Sequence, residues 1–376
     1  MDIREHLKHQ PLIFDGGMGT YYAQKTHTRG KGVELANIEM PLVVGDIHTE
    51  YIRAGAQAIK TNTFAANRIV YQGDEKLVRQ ILHAGWEIAA RAAETTGAFV
   101  FADIGPVVGM PHTDILDEYH FLAEEFLACG AKHFLFETNS SADGLIETAR
   151  YIKKKCPEAF ILDSFSAFPG GYTRDGRFVE ELVHEVADSH VVDAVGFNCM
   201  NGIHQMKELI HRLEPHDLPL SLMPNAGHPI IVDGRTFYQS DPSYFGISLA
   251  SLAQEGVSIV GGCCGTTPTY IHALCDALAG EKPSISVAAS EGTVPAKDTP
   301  KNPFYEALKS HMKPIAVELD PPETGDAHKF LKGAQELQAA VNSGDAEKAE
   351  KLRAEIEKHQ DVPAYGASFV KSVGGA

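Results

Sequence analysis

Three cysteines make up the arrangement with the most chemical potential in this chain. Gly261-Gly262-Cys263-Cys264-Gly265-Thr266 ends an apolar stretch, and 64 residues before Cys263 stands Gly196-Phe197-Asn198-Cys199. Zinc favours sulfur ligands in a tetrahedron, and a site with three protein donors leaves one corner for water or substrate, unlike a closed structural site. If a substrate thiol takes that corner, the chain activates sulfur. Successive strand side chains point to opposite faces, so Cys263 and Cys264 can share an ion only where the strand stops and turns. Gly261, Gly262 and Gly265 permit that turn. Two plainer readings compete: a vicinal disulfide, or two small buried thiols without a ligand role. The equivalent placement of Cys199 favours metal. Cys129, Cys156 and Cys275 fall in apparent helices and read as packing residues.

The elements that position these thiols follow from the pattern of the chain. Short apolar or β-branched runs alternate with segments of helical period, the mark of parallel βα units. Eight strands are expected, at Pro11 to Gly17, Ala58 to Phe64, Phe99 to Pro106, His133 to Asn139, Ala159 to Ser166, Ala194 to Met200, Leu220 to Ala226 and Val257 to Cys264. Helices are expected between them, as at Leu77 to Thr95 and Phe178 to His190, where apolar residues recur at three and four. Eight strands in this length predict an α/β fold, a (β/α)8 TIM barrel with a C-terminal appendage. A doubly wound sheet is the alternative, and it usually has fewer strands. The expected domains are a barrel at 1–281, a linker at 282–304 and an appendage at 305–376.

Composition narrows the function classes. The chain has 376 residues, 44% of them hydrophobic, and a formal net charge of -17. That acidity repels phosphate backbones and anionic lipid, so neither nucleic acid nor a membrane surface is an expected partner. No apolar run approaches the ~20 residues that span a bilayer, and Met1-Asp2-Ile3-Arg4-Glu5-His6 does not read as a signal peptide. A cytoplasmic location is expected, where thiols stay reduced and bind metal more often than they bridge.

Barrel enzymes carry their active sites at the C-terminal strand ends, and the unusual residues fall there. Asp15-Gly16-Gly17-Met18-Gly19-Thr20 follows the first strand, Thr61-Asn62-Thr63-Phe64 ends the second, Glu137-Thr138-Asn139 the fourth and Asn225-Ala226-Gly227 the seventh. The Asp15 loop is either a plain turn or a nest of backbone N–H groups for a carboxylate. Glu137 follows Phe134-Leu135-Phe136 and needs a partner if buried. That partner is a substrate ammonium or a barrel Lys or Arg. Asn225 is a turn residue or lends its amide oxygen to the metal when substrate is absent.

Together these six segments resemble the zinc-dependent homocysteine S-methyltransferase family, in order, from residue 10 to about 280. The likeness is nearest to the methyltransferase half of bacterial proteins fused to a methylenetetrahydrofolate reductase. It implies an enzyme of methionine biosynthesis in which Cys199, Cys263 and Cys264 hold Zn2+ and homocysteine sulfur completes the tetrahedron. It further implies that Asp15 and Glu137 hold the substrate's amino group, and that backbone amides around Gly16, Gly17 and Met18 take its carboxylate. Three cysteinates outweigh the charge of zinc, so the bound substrate thiolate stays electron-rich and attacks an electrophilic methyl group.

The methyl donor is less legible. S-methylmethionine or S-adenosylmethionine is favoured over methylcobalamin or methylfolate, because no cobalamin-binding module is recognisable. A sulfonium donor would favour an aromatic cage, for which Phe64 and Phe197 are candidates, although each also reads as core. Three other functions compete. A non-catalytic zinc-stabilised scaffold would need a fourth close ligand. A homocysteine-binding module would need a separate cobalamin protein. A zinc hydrolase usually takes His and carboxylates, and no His-Glu-x-x-His occurs. After the linker, Asn302 to Leu308 and Lys313 to Pro322 resemble the start of the reductase half, yet only 62 residues follow Pro314. A whole reductase barrel does not fit, so flavin is not expected. The stretch Ser343 to Gln360 departs from the reductases and reads as a charged helix.

Overall fold

The computed structural model describes residues 2–28, 32–108, 112–213, 216–227, 229–232, 235–238 and 240–280. The expected linker at 282–304 and the appendage at 305–376, with its charged helix, lie outside the described residues.

Eight parallel strands form the barrel: β1 (Leu12–Ile13), β2 (Ala58–Lys60), β3 (Phe99–Ile104), β4 (His133–Asn139), β5 (Phe160–Phe165), β6 (Ala194–Asn198), β7 (Leu220–Met223) and β10 (Ile259–Val260). Their order is β1-β10-β7-β6-β5-β4-β3-β2. The ring closes between β2 and β1 through a bridge of Phe14 with Ala58. Gln57 N–H donates to the Ile13 carbonyl at 2.7 Å and Asp15 N–H to that of Ala58 at 3.0 Å across the same seam. Between β7 and β10 an antiparallel hairpin intervenes, β8 (Pro229–Val232) with β9 (Arg235–Tyr238), which the strand count did not anticipate.

Helices sit where the apolar period places them. The helix expected from Leu77 runs Glu75–Ala93, because Asp74 caps it by accepting from Leu77 N–H at 3.0 Å. The one expected from Phe178 runs Val179–Asp188, with Phe178 as its extended cap. Strand alternation then divides the core in two. Leu12, Phe14, Ala58, Phe101, Leu135, Phe160, Leu162, Ala194, Met223 and Ile259 fill the barrel, while Ile59, Ala102, Phe134, Ile161 and Val195 join the strand–helix layer.

The same alternation builds the floor of a site. Two residues beyond an inward apolar side chain, the next one also points inward. Thus Ala58 leads to Lys60, Phe101 to Asp103, Leu135 to Glu137 and Leu162 to Ser164. An apolar plug therefore gives way to a polar layer toward the C-terminal ends, and Lys60, Asp103, Glu137 and Ser164 are all buried.

One acid faces the other way. Asp163 alternates with Leu162 and so points into the strand–helix layer, where it is fully buried and neither carboxylate oxygen has a partner. Burial alone pushes its carboxyl up to about 8. The folded state therefore binds a proton that the unfolded state lacks, from the ordinary carboxylate range up to about pH 8, and in that window stability falls as pH rises. Asp163→Asn should flatten this dependence. At pH 8 the variant should exceed the wild type by an amount on the order of a few kcal/mol, with the gap closing toward pH 5. Urea unfolding at several pH values checks it, and parallel curves would refute it.

Candidate metal centre and active site

Two strand ends deliver the cysteines by different turns. After β6 the backbone leaves the sheet through Cys199 and Met200, both left-handed, at φ 58° and 55°. Cys199 N–H still donates to the Met223 carbonyl of β7 at 3.2 Å. This pair of non-glycine left-handed residues costs conformational energy, and it turns the Cys199 thiol toward the last strand. Beyond β10 the chain passes Gly261 and Gly262, then turns at Gly265, φ 80°. Here glycine is required by space as well as by angle. A Cβ on Gly262 would lie 2.2 Å from Thr266 Oγ1, and one on Gly265 would lie 2.2 Å from Tyr238 Cβ.

The result is a cluster. The Sγ atoms of Cys199, Cys263 and Cys264 all lie within 4.8 Å of one another, and those of Cys199 and Cys264 are 3.7 Å apart. All six cysteines are free, which disposes of the vicinal disulfide. Cys275 lies within the helix Pro268–Leu278, whereas Cys156 caps the helix Leu145–Lys155 and Cys129 follows the helix His112–Ala128. Hydrogen bonds from its two neighbours hold the Cys264 thiol well below its ordinary range, while the same contacts and burial push Cys199 up. Three thiols this close cannot all ionise without a cation among them, and thiolate donors select soft or borderline metals. The donor set therefore fits a metal ion.

A second ring of polar groups fixes the cluster. Asn198 Oδ1 accepts from Thr138 N–H at 3.0 Å and from Ser164 Oγ at 2.7 Å. Its amide nitrogen donates to Thr138 Oγ1 at 2.6 Å and faces Cys263 Sγ at 3.8 Å. Because the oxygen takes two donors, the amide orientation is determined. Thr138 reaches this position with a left-handed backbone, φ 63°. Tyr238, from the hairpin, places its phenol beside Cys264. Asn225 follows β7, between two ties to the cysteine turn, Cys263 N–H to Pro224 O and Ala226 N–H to Cys264 O, each 2.9 Å. Its buried Oδ1 has no partner.

The loop after β1 is laced to the same turn. Gly262 N–H donates to Asp15 O at 3.0 Å, Gly17 N–H to Thr266 O at 3.0 Å and Gly265 N–H to Thr20 Oγ1 at 3.0 Å. A Cβ on Gly16 or Gly17 would come within 2.6 Å of Thr266 or Cys263 atoms. The Gly17 amide is therefore committed to Thr266, which narrows the expected carboxylate nest to the amides on either side, Gly16 and Met18. Met18 opens the helix Met18–Thr26, whose first-turn N–H groups and dipole favour an anion.

Below the sulfurs lies a buried charge cluster. Lys60 Nζ stands 2.9 Å from Asp15 Oδ1 and 3.8 Å from Glu137 Oε1, and Lys60 N–H donates to Asp15 Oδ2 at 3.0 Å. The partner for Glu137 that the sequence left open between substrate and a barrel lysine is thus partly Lys60. At 3.8 Å the contact is loose, and Glu137 Oε1 accepts no hydrogen bond.

A family model described as homocysteine S-methyltransferase matches residues 12–278. The chain belongs to the homocysteine S-methyltransferase family. It is 31% identical to methionine synthase of Mycobacterium tuberculosis over 75% of the chain and 26% of that protein. It is 30% identical to methionine synthase of Mycobacterium leprae over 89% of the chain and 29% of that protein. The chain thus spans between a quarter and a third of the length of these relatives. Among solved structures, the Escherichia coli homocysteine methyltransferase MmuM superposes at a TM-score of 0.59 in its oxidised form, with 23% identity, covering 73% of this chain and 98% of that one. A metallated form of MmuM superposes at 0.57 with 21% identity, covering 72% and 98%. At that identity the likeness speaks for the barrel fold.

Within this member of the family, the sequence did not single out Lys60, Asp103, Thr138, Asn198 or Tyr238 as site residues. Lys60 and Asp103 had a signal: each stands two residues after an inward apolar residue in a strand run. Asn198 and Thr138 adjoin residues already singled out. Tyr238 had none, because the hairpin that carries it was unforeseen.

Proposed function

We propose that the chain transfers a methyl group to the thiolate of L-homocysteine, giving methionine, with Zn2+ held by Cys199, Cys263 and Cys264. The observation that carries this reading is the convergence of three sulfurs from two strand ends within 4.8 Å at the barrel mouth. When bound, zinc lowers the pKa of a substrate thiol that would otherwise be mostly protonated at neutral pH, where free thiols titrate near ~8.5.

The residues of the chain do the placing. Glu137, with an oxygen that no donor meets, takes the substrate ammonium. Asp15 contributes through Lys60, which it draws to 2.9 Å and so keeps from neutralising Glu137. The amides of Gly16 and Met18 take the carboxylate, and Gly17 supplies the tight turn. These anchors direct the substrate thiol to the cysteine rim, where Asn198 steadies Cys263 and the free Asn225 oxygen is a further polar contact. The donor methyl must approach in line from above, at a distance of about 3 to 3.5 Å. A sulfur–carbon bond forms as the bond between methyl and donor breaks, and its electron pair leaves with the donor.

S-methylmethionine or S-adenosylmethionine is the donor class we favour. A sulfonium is attracted to aromatic faces, and Phe64, Phe168 and Tyr172 are exposed on the loops after β2 and β5. Phe197 is 1% exposed and packs in the strand–helix layer, so it serves the core. A second reading draws on the methionine synthases, of which the chain matches only part. In it the barrel is a homocysteine-binding module served by a separate cobalamin protein, with methylcobalamin or methylfolate as methyl source. The scaffold alternative is disfavoured because, among the described residues, no fourth His, Cys, Asp or Glu joins the cluster. Reactive thiols argue for a reducing cytoplasm, and no described helix is long and apolar enough to cross a membrane.

Zinc-loaded protein should be given homocysteine with labelled S-methylmethionine, S-adenosylmethionine, betaine or methylcobalamin. Labelled methionine from a sulfonium donor is the expected result. Turnover with methylcobalamin alone would establish the second reading, and none with any donor would sink the enzyme assignment.

A further inference from the structure

Asp103 belongs to no part of the chemistry described so far, yet it lies at the heart of the charge cluster. It sits on the inward face of β3, 3% exposed, and Glu137 occupies the inward face of the neighbouring β4. Its backbone is clamped: Asp103 N–H donates to Thr61 Oγ1 at 2.9 Å, and its carbonyl accepts from Thr63 Oγ1 at 2.7 Å. The carboxyl is within hydrogen-bonding reach of Glu137, and each of the two acids has a buried oxygen that no other donor meets.

Counting the facing charges decides what state this pair can hold. Asp15 on the β1 side, Asp103 on β3 and Glu137 on β4 are acidic, as is Cys263 from the turn after β10. Lys60 on β2 is the one lysine or arginine paired with these acids among the described residues. His48, behind it on the helix Pro41–Arg53, is kept neutral by burial and by Lys60. Lys60 lies against Asp15 first and Glu137 second, and it makes no ion pair with Asp103. Two buried carboxylates in hydrogen-bonding reach cannot both stay ionised. Glu137, which Lys60 reaches at 3.8 Å, ionises first, and Asp103, on which Lys60 acts only from beyond ion-pair distance, keeps its proton. The same order follows from burial and from Glu137, which push Asp103 well above the carboxylate range.

We propose that Asp103 is a positioning residue, a neutral acid that donates a hydrogen bond to the Glu137 carboxylate and so sets the charge of the substrate-ammonium site. This rests on the homocysteine reading above. The protonated Asp103 lets Glu137 be the anion at a pH where two adjacent anions would not be tolerated. Its backbone clamp between Thr61 and Thr63 keeps the donor aimed.

Two variants separate this from a packing role. In zinc-loaded protein, homocysteine affinity measured by calorimetry across pH should show an acid limb where Glu137 protonates. Asp103→Asn keeps a donor of the same shape, so its limb should coincide with that of the wild type and its affinity should stay within about threefold. Asp103→Ala removes the donor. Its limb should move to higher pH, and its affinity near pH 7 should fall roughly tenfold, as for a lost hydrogen bond to a charged group. Equal losses in the two variants, or an unmoved limb in Asp103→Ala, would overturn the proposal. If the alanine variant does not fold, infrared spectroscopy decides. At about pH 7 the protonated-carboxyl band of wild type should contain a component that Asp103→Asn lacks. Its absence from wild type would overturn the proposal equally. A wild type that holds zinc and shows this component but binds no homocysteine would overturn the functional reading and, with it, the role of Asp103 at an ammonium site.

Discussion

Cys199→Ser is expected to cost the protein both its metal and its methyl transfer. Serine is nearly the same size, so the barrel should persist, and circular dichroism should be unchanged. What changes is the donor. A hydroxyl does not ionise near neutral pH, and a neutral oxygen replaces a thiolate in a set whose affinity rests on three charged sulfurs. Zinc content measured after dialysis should fall at least about tenfold, with turnover below detection. The geometry adds a reason why the cluster does not repair itself. Cys129, Cys156 and Cys275 belong to the helical layer and cannot replace the lost ligand. Asn225 offers only a neutral amide oxygen. Cys129→Ser is the matched control and should retain metal and activity. Full turnover by a chelator-stripped wild type would refute the zinc assignment altogether.

The cysteine centre was legible in the sequence because each ligand stands where a strand run stops, and barrel geometry sends all such ends to one mouth. Glu137 was legible for the same reason, together with the apolar run before it. Three things were not. The strands at the β1 seam are shorter than their apolar runs, since Asp15 to Thr20 and Gly261 to Thr266 exchange hydrogen bonds with each other in place of ladder pairs. The hairpin at Pro229–Tyr238 hid in what read as a long connection, and with it the aromatic ring that presses on Gly265. A barrel Lys or Arg was one expected partner for Glu137, but nothing in Ala58-Ile59-Lys60 by itself tells which base lies between Asp15 and Glu137. In each case the missing information is long-range: which loop a loop packs against, and which charge lies across the barrel.

Glu137→Gln should separate substrate binding from metal binding. The glutamine keeps the shape of the side chain and leaves the cysteine cluster untouched, so zinc content should match wild type. Homocysteine affinity should fall roughly a hundredfold or more, because a buried ammonium loses its counter-charge and breaking such a pair costs about 3–5 kcal/mol. Wild-type binding should also depend on pH through this residue. Burial pushes the Glu137 carboxyl up to about 8 despite the opposing pull of Lys60. Below that value the group carries a proton and offers the ammonium no charge, so affinity should weaken as pH falls from about 8 toward 6. Lysine 60 sets how far. Lys60→Met would remove the cation that, among the described residues, pairs with Glu137 and Asp15, which should drive the acid limb upward, whereas Glu137→Gln should leave only the slope that comes from deprotonation of the substrate thiol. A glutamine variant with unaltered affinity and an unaltered limb would show that the substrate ammonium lies elsewhere.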